Sequence, residues 1–91
     1  MDHNTTFAAP GHVVSCEVAD ELVLLDTRAG QYFGLDPVGA RVWTLVASGA
    51  AFGEVCDALY AEFDVARDQL TRDVAALMHD LTARQLIQPA G

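Results

Sequence analysis

Few side chains in this chain have types and spacings that could do chemistry. Asp73 and Asp80 stand seven residues apart, which on a helix leaves them about 20° from alignment. Such a pair can serve acid–base catalysis or draw in a cationic ligand. Nothing nearby supplies a substrate cleft, a nucleophile or a metal, so the functional reading is attraction for a Lys- or Arg-bearing ligand, and the plain reading is a solvated helix face. His3, His12 and His79 are scattered and form no ligand set, and neither a metal nor a cofactor is expected. Cys16 and Cys56 lie forty residues apart with no CxxC pattern; they read as two reduced, partly buried thiols. Ser48 sits in Ala47-Ser48-Gly49, at a helix end, and lacks the Asp-Ser-Leu-type setting that an acyl or peptidyl carrier protein needs.

The composition points the same way. The 91 residues hold 13 carboxylates against five arginines and no lysine, a formal charge of −8. Binding to a nucleic-acid backbone relies on Lys and Arg neutralising phosphates, so no nucleic-acid partner is expected. The hydrophobic share of 52% supports a packed core, and the length suits one domain with little room for a deep catalytic cleft. The reading is a binding domain and not an enzyme. The charge is spread evenly over the two halves of the chain. The start, Met1-Asp2-His3-Asn4, has neither the basic stretch nor the apolar run of a secretory signal, and no apolar run approaches the ~18 residues of a membrane span. A cytoplasmic protein without membrane contact is expected.

The elements that must position these residues follow from the period of the apolar pattern. Residues 1–11 (MDHNTTFAAPG) read as a flexible lead-in and 12–88 as the domain. His12–Val18 and Glu21–Thr27 suit two strands turned at Ala19-Asp20, and Gln31–Leu35 a third after a turn at Gly30, which is free to take positive φ. Asp36-Pro37 then starts a helix, with Asp36 as cap and Pro37 at the first helical position; Val38, Val42, Leu45 and Val46 follow at helical spacing up to a stop at Gly49. A second helix spans about Phe52–Glu62, started without a capping oxygen at Ala50-Ala51. Asp64 can cap a third, about Ala66–Arg84, with Leu70, Val74, Leu77 and Leu81 along one stripe. Gln85-Leu86-Ile87 closes it, and Pro89-Ala90-Gly91 ends the chain. The fold class is α+β: a three-stranded antiparallel sheet followed by three helices.

In a simple meander the third strand is an edge, and the long third helix can pack beside it. An open edge flanked by a helix is the geometry for β-augmentation, in which an extended peptide joins the sheet. Backbone groups of Gln31–Leu35 would then set register, and Gly34 would allow close approach. Phe33 and Leu35 share parity and read as core; Tyr32, of opposite parity, is either groove or ordinary surface. Trp43 within its amphipathic helix reads as core, with an interface to a partner enzyme as the alternative.

The runs LDTRAGQYFGLDPVGARVWTLV (Leu25–Val46) and FDVARDQLTRDVAALMHDLTARQLI (Phe63–Ile87) resemble the PqqD-like family, the recognition elements of ribosomally made peptide pathways. The shape Leu-Asp-x5-Tyr-Phe-Gly-Leu-Asp-x-x-Gly-Ala-Arg-x-Trp is similar to the discrete small proteins of lasso-peptide biosynthesis. The resemblance covers about residues 12–88. It implies a winged helix-turn-helix-like domain that binds the leader of a precursor peptide as an added strand, beside the third helix, and presents it to a separate leader-cleaving cysteine protease and an ATP-dependent macrocyclase. The leader-binding residues implied are Gln31, Tyr32, Phe33, Gly34 and Leu35 on the strand, with Leu70, Asp73, Val74, Leu77, Met78 and Asp80 on the helix; Asp73-Val74 matches the family's Asp-Val pair. Two positions depart from the family pattern. Ala50-Ala51 stands where Thr or Ser is usual before the second helix, and Gln85 where Gly usually follows the third. A left-handed Gln85 would cost about 1 kcal/mol.

The alternative is a winged-helix DNA-binding regulator, since helices two and three flank Phe63-Asp64-Val65 as a helix-turn-helix. Its recognition helix would carry only Arg67, Arg72 and Arg84, interleaved with Asp68, Asp73 and Asp80.

Overall fold

The computed structural model describes residues 1–90, so Gly91 of the expected chain end lies outside the described residues. Its elements are β1 (Thr6–Ala8), β2 (Val13–Val18), β3 (Glu21–Asp26), β4 (Gln31–Leu35), α1 (Pro37–Ala47), α2 (Phe52–Glu62), α3 (Arg67–Ala83) and β5 (Gln88–Ala90). The meander is as expected: β2, β3 and β4 form an antiparallel sheet in that order, with Val14 opposite Leu25 and Leu25 opposite Tyr32. β4 is therefore an edge. Leu24 and Leu35 face inward and are buried, under α1 and the other helices, where Val42, Val55, Leu59, Val74 and Leu81 complete the core. Trp43 is only 5% exposed and belongs to that core.

Two short strands went unread in the sequence. The first eleven residues, taken as a lead-in, contribute β1, which pairs antiparallel with β5 through Thr6↔Ala90, Phe7↔Pro89 and Ala8↔Gln88. Phe7 is buried in the common core. The partners are eighty or more residues apart, so no local pattern announces the pairing.

The same segment solves the start of α2. Ala51 has no side-chain cap; instead the backbone N–H groups of Phe52 and Gly53 donate to the carbonyls of Thr5 (2.8 Å) and His3 (2.9 Å). Glu54 completes the turn by accepting from the Ala51 N–H at 2.9 Å. The free donors of a helix start are thus met by the distant segment that leads into β1, in place of a hydroxyl. Gly53 is needed for this approach, since a Cβ there would lie 2.9 Å from the His3 ring nitrogen and 3.1 Å from its carbonyl.

By contrast α1 is capped as expected, the Gly39 N–H donating to Asp36 Oδ1 at 2.7 Å with Pro37 at the first position. Asp64 does not cap α3: the cap residue is Ala66, with no side-chain bond. The C-terminal ends of α1 and α3 share one bonding pattern. Gly49 and Ala50 donate to Val46 and Leu45, and Gln85 and Leu86 donate to Thr82 and Leu81, the paired bonds of a Schellman close. Gly49 takes φ 97° and Gln85 takes φ 61°, so the departure at Gln85 is a left-handed non-glycine residue. The β2–β3 turn adds two more, Ala19 at 49° and Asp20 at 72°.

Candidate functional site: a cleft beside the free edge of β4

The chain passes from β4 into α1 with only Asp36 between them, so the N-terminal turn of α1 must stand at the end of the free edge. α3 crosses beside the same edge. Together they enclose a cleft of about 440 Å³. Its strand side is Phe33, Gly34 and Leu35, and its far side is Asp73, Val74 and Leu77 on α3. Asp36, Val38, Gly39 and Val42 form its end wall. The lining is mainly apolar, with carboxylates as its only ionisable groups. Gly39 keeps the wall open, because a Cβ there would come within 3.2 Å of both Asp36 Oδ1 and the Leu35 side chain.

The residues expected at the site divide into three groups. Phe33, Gly34, Leu35, Asp73, Val74 and Leu77 are brought together around the cleft. Leu70 and Met78 are not; they lie on the core side of α3, Met78 with no exposed surface. The helical stripe is wider than the cleft, and the margin that faces β4 is the one carrying Asp73 and Leu77. Gln31, Tyr32 and Asp80 stand outside the cleft. Tyr32 points to the other face of the sheet and is 72% exposed. Gln31 lies at the far end of the strand, where a hollow of only about 20 Å³ separates it from Arg84 and Leu86.

The two aspartates have different surroundings. Asp80 is paired with Arg84, Nε to Oδ1 at 3.0 Å, and the Arg84 guanidinium lies 4.7 Å from the centre of the Phe33 ring, within cation–π range. Asp73 accepts from the Gln69 side chain at 2.8 Å, and among the described residues no cation lies within ion-pair distance of it. The anionic end of the cleft is therefore at Asp36 and Asp73, while the Phe33 end is overlaid by an arginine.

Sequence reasoning missed Asp36, Val38, Gly39, Val42 and Arg84. Two signals were present. A helix start immediately after β4 obliges α1 to adjoin the strand's end, and a glycine inside a helix, which costs about 0.5–1 kcal/mol against alanine, marks a close approach. Nothing in the sequence places Arg84 over Phe33.

The two thiols also separate: Cys56 is buried and Cys16 exposed on the outer face of the sheet. Burial pushes the Cys56 thiol above its ordinary range, leaving it an unreactive core group. Cys16 is more open than the partly buried state expected of it. Among the described residues no three His, Cys, Asp or Glu side chains converge on a possible metal position, and no helix is long and apolar enough to cross a membrane.

A small α+β domain with a helix-flanked free strand and an apolar cleft is the architecture of a peptide-binding module. The comparisons with known proteins place it more closely. The profile of the PqqD family, described as coenzyme PQQ synthesis protein D, matches residues 21–87, and the chain belongs to that family. Among solved structures it is similar to TbiB1 in complex with the TbiA(beta) leader peptide, at 37% identity and TM-score 0.84, covering 92% of this chain and 98% of that one. It is also similar to a lasso peptide synthetase B1 complexed with the leader peptide, at 28% identity and TM-score 0.85, covering 91% and 98%. Among curated proteins no sequence matches.

Proposed function

We propose that this chain binds the leader segment of a ribosomally made precursor, a lasso-peptide precursor by the kind of its relatives, as a strand added to β4. The observation that carries this reading is the cleft: a free strand edge, whose N–H and C=O groups can pair with a peptide backbone, opens onto an apolar hollow that α3 and α1 close on the far side. Backbone pairing supplies register, and alternate side chains of the peptide enter the hollow. Asp73, unpaired by any cation, favours a leader with Lys or Arg near the Asp36 end, and its contribution is to encounter rate and orientation. Leu70 and Met78 support the helix from below and do not touch the peptide; Asp80 acts only by holding Arg84.

The domain carries out no chemistry in this reading. It raises the local concentration of precursor at a separate leader-cleaving cysteine protease and an ATP-dependent macrocyclase, so that their encounter with it becomes effectively intramolecular. The DNA-binding reading is disfavoured by the state of the arginines. Arg67 is bonded to Asp57 at 2.7 Å and Arg84 to Asp80, which leaves Arg72, hydrogen-bonded to the neutral Gln69 at 3.2 Å, as the one arginine of the would-be recognition helix without a carboxylate partner among the described residues, and a single cation makes no basic face.

Two fluorescent probes test the proposal: the TbiA(beta) leader and the leader bound by the similar lasso peptide synthetase B1. Binding of either, with amide shifts in residues 31–35 and along the Asp73–Leu77 face, is the expected result. Shifts confined to β2, or no binding of either leader at high protein concentration, would overturn it.

A further inference from the structure

The sheet has an outer face that no element covers, and two of its rows run straight to the free edge. Register places Val14, Leu25 and Tyr32 side by side in one row, and Cys16, Val23 and Gly34 in the next. These residues have the parity opposite to Leu24, Phe33 and Leu35, which face inward. Leu25 and Val23 are half-buried, but Tyr32, last in its row, is 72% exposed. Gly34, last in the other row, leaves its outward position empty: a Cβ there would meet no atom within 4 Å. The next position in both rows belongs to whatever strand pairs with β4.

From this continuity we propose that Tyr32 and Gly34 form a second recognition subsite, on the outer face, for the outward-pointing side chains of the same bound peptide. The inference rests on the strand-addition reading above and adds to it that the peptide is read on both faces. A strand added to β4 lies about 4.8 Å away, so an outward apolar side chain beside Tyr32 makes a cross-strand pair with the phenol ring. An outward side chain opposite Gly34 finds no side chain in its way, and an aromatic ring there can lie across the glycine onto Val23. Val14 and Val18, on the far strand, are two strand spacings from β4 and beyond reach of one peptide side chain. The peptide class selected is therefore an extended segment with apolar residues at consecutive positions, an aromatic one facing Gly34, and not a strand that alternates apolar with polar.

Tyr32→Ser and Gly34→Thr test this, with Leu77→Asp and Val18→Ser as companions. Both test positions are exposed, so the variants should keep the wild-type fold, which their circular dichroism and melting will show. A single cross-strand pair is worth up to about fivefold in affinity, so Tyr32→Ser should weaken leader binding about three- to fivefold. Gly34→Thr should weaken peptides with a large outward residue opposite position 34 more than peptides with alanine there, while Val18→Ser should change nothing. If Leu77→Asp weakens binding but Tyr32→Ser and Gly34→Thr bind every peptide as the wild type does, the outer subsite is wrong and the cleft reading stands. If Leu77→Asp is also without effect, the cleft reading itself fails. Loss of a dimer on Tyr32→Ser, with peptide affinity intact, would give the face to a second copy of the chain and overturn the subsite.

Discussion

The three-stranded sheet has two free edges among the described residues, and one of them borders an apolar cleft. β2 and β4 are of similar length and equally lack a partner on one side. Beyond β2 no described element stands: its first residue, Val13, is buried and the other five are exposed. Beyond β4 stand α1 and α3 with the apolar cleft between them. An unpaired edge alone offers hydrogen bonds that water offers as well, and these return only about 0.5–1.5 kcal/mol each. What turns an edge into a binding surface is an apolar hollow beside it, where side chains of the incoming strand leave water.

That comparison can be broken most directly at Leu77. Leu77→Asp puts a charge into the hollow and removes a leucine contact worth roughly 1.5–3 kcal/mol when fully buried, so titration should show a leader affinity at least tenfold lower. Val14→Ser on the β2 side should leave affinity within twofold. Equal losses at the two positions would mean that the edges are equivalent. A second variant separates site from scaffold. Deleting residues 1–5 removes the carbonyls of His3 and Thr5 from the start of α2, two hydrogen bonds at about 1 kcal/mol each. Denaturant melts should show a loss near 2 kcal/mol, while the folded fraction binds leader as before.

Smaller effects are expected at the left-handed residues. The β2–β3 turn holds both central residues at positive φ, where Asn-Gly is preferred; Ala19→Asn with Asp20→Gly should stabilise the chain by about 1 kcal/mol without altering affinity. Gln85→Gly should add somewhat less, since glycine returns part of the gain as unfolded-state entropy. Because Gln85 follows Arg84, a changed affinity in that variant would show that the arginine over Phe33 belongs to the site. The smallest intervention is chemical. A thiol reagent should modify one cysteine per native chain, Cys16, and reach Cys56 only after unfolding; two reactive thiols in the native state would refute the assignment of Cys56 to the core.

Much of this was legible along the chain. Asp36-Pro37, Gly30 and Gly49 act through their own backbone geometry, and each does what its residue type dictates. The short β-branched and apolar runs of β2 to β4, bounded by turn residues, and the helical spacing after Pro37 are short-range signals, so the three-strand, three-helix order could be read along the chain. The site was half legible for the same reason. Phe33, Leu35, Val74 and Leu77, which line the cleft, could be named because their elements could be named; Leu70 and Met78, implied with them by the family resemblance, lie on the core side of α3. Tyr32, open in the sequence between groove and ordinary surface, lies outside the cleft with its side chain exposed.

The sequence by itself determined the three strands of the meander, the three helices, the acidic balance and the free edge after β3, all of which depend on neighbours within a few positions or on composition. Only the tertiary structure decided what lies beside that edge. The capping of α2 by His3 and Thr5, the pairing of Phe7 with Pro89 and the placing of Arg84 over Phe33 join residues about fifty to eighty positions apart. Such contacts are selected by the packing of the whole core, and no local period records them.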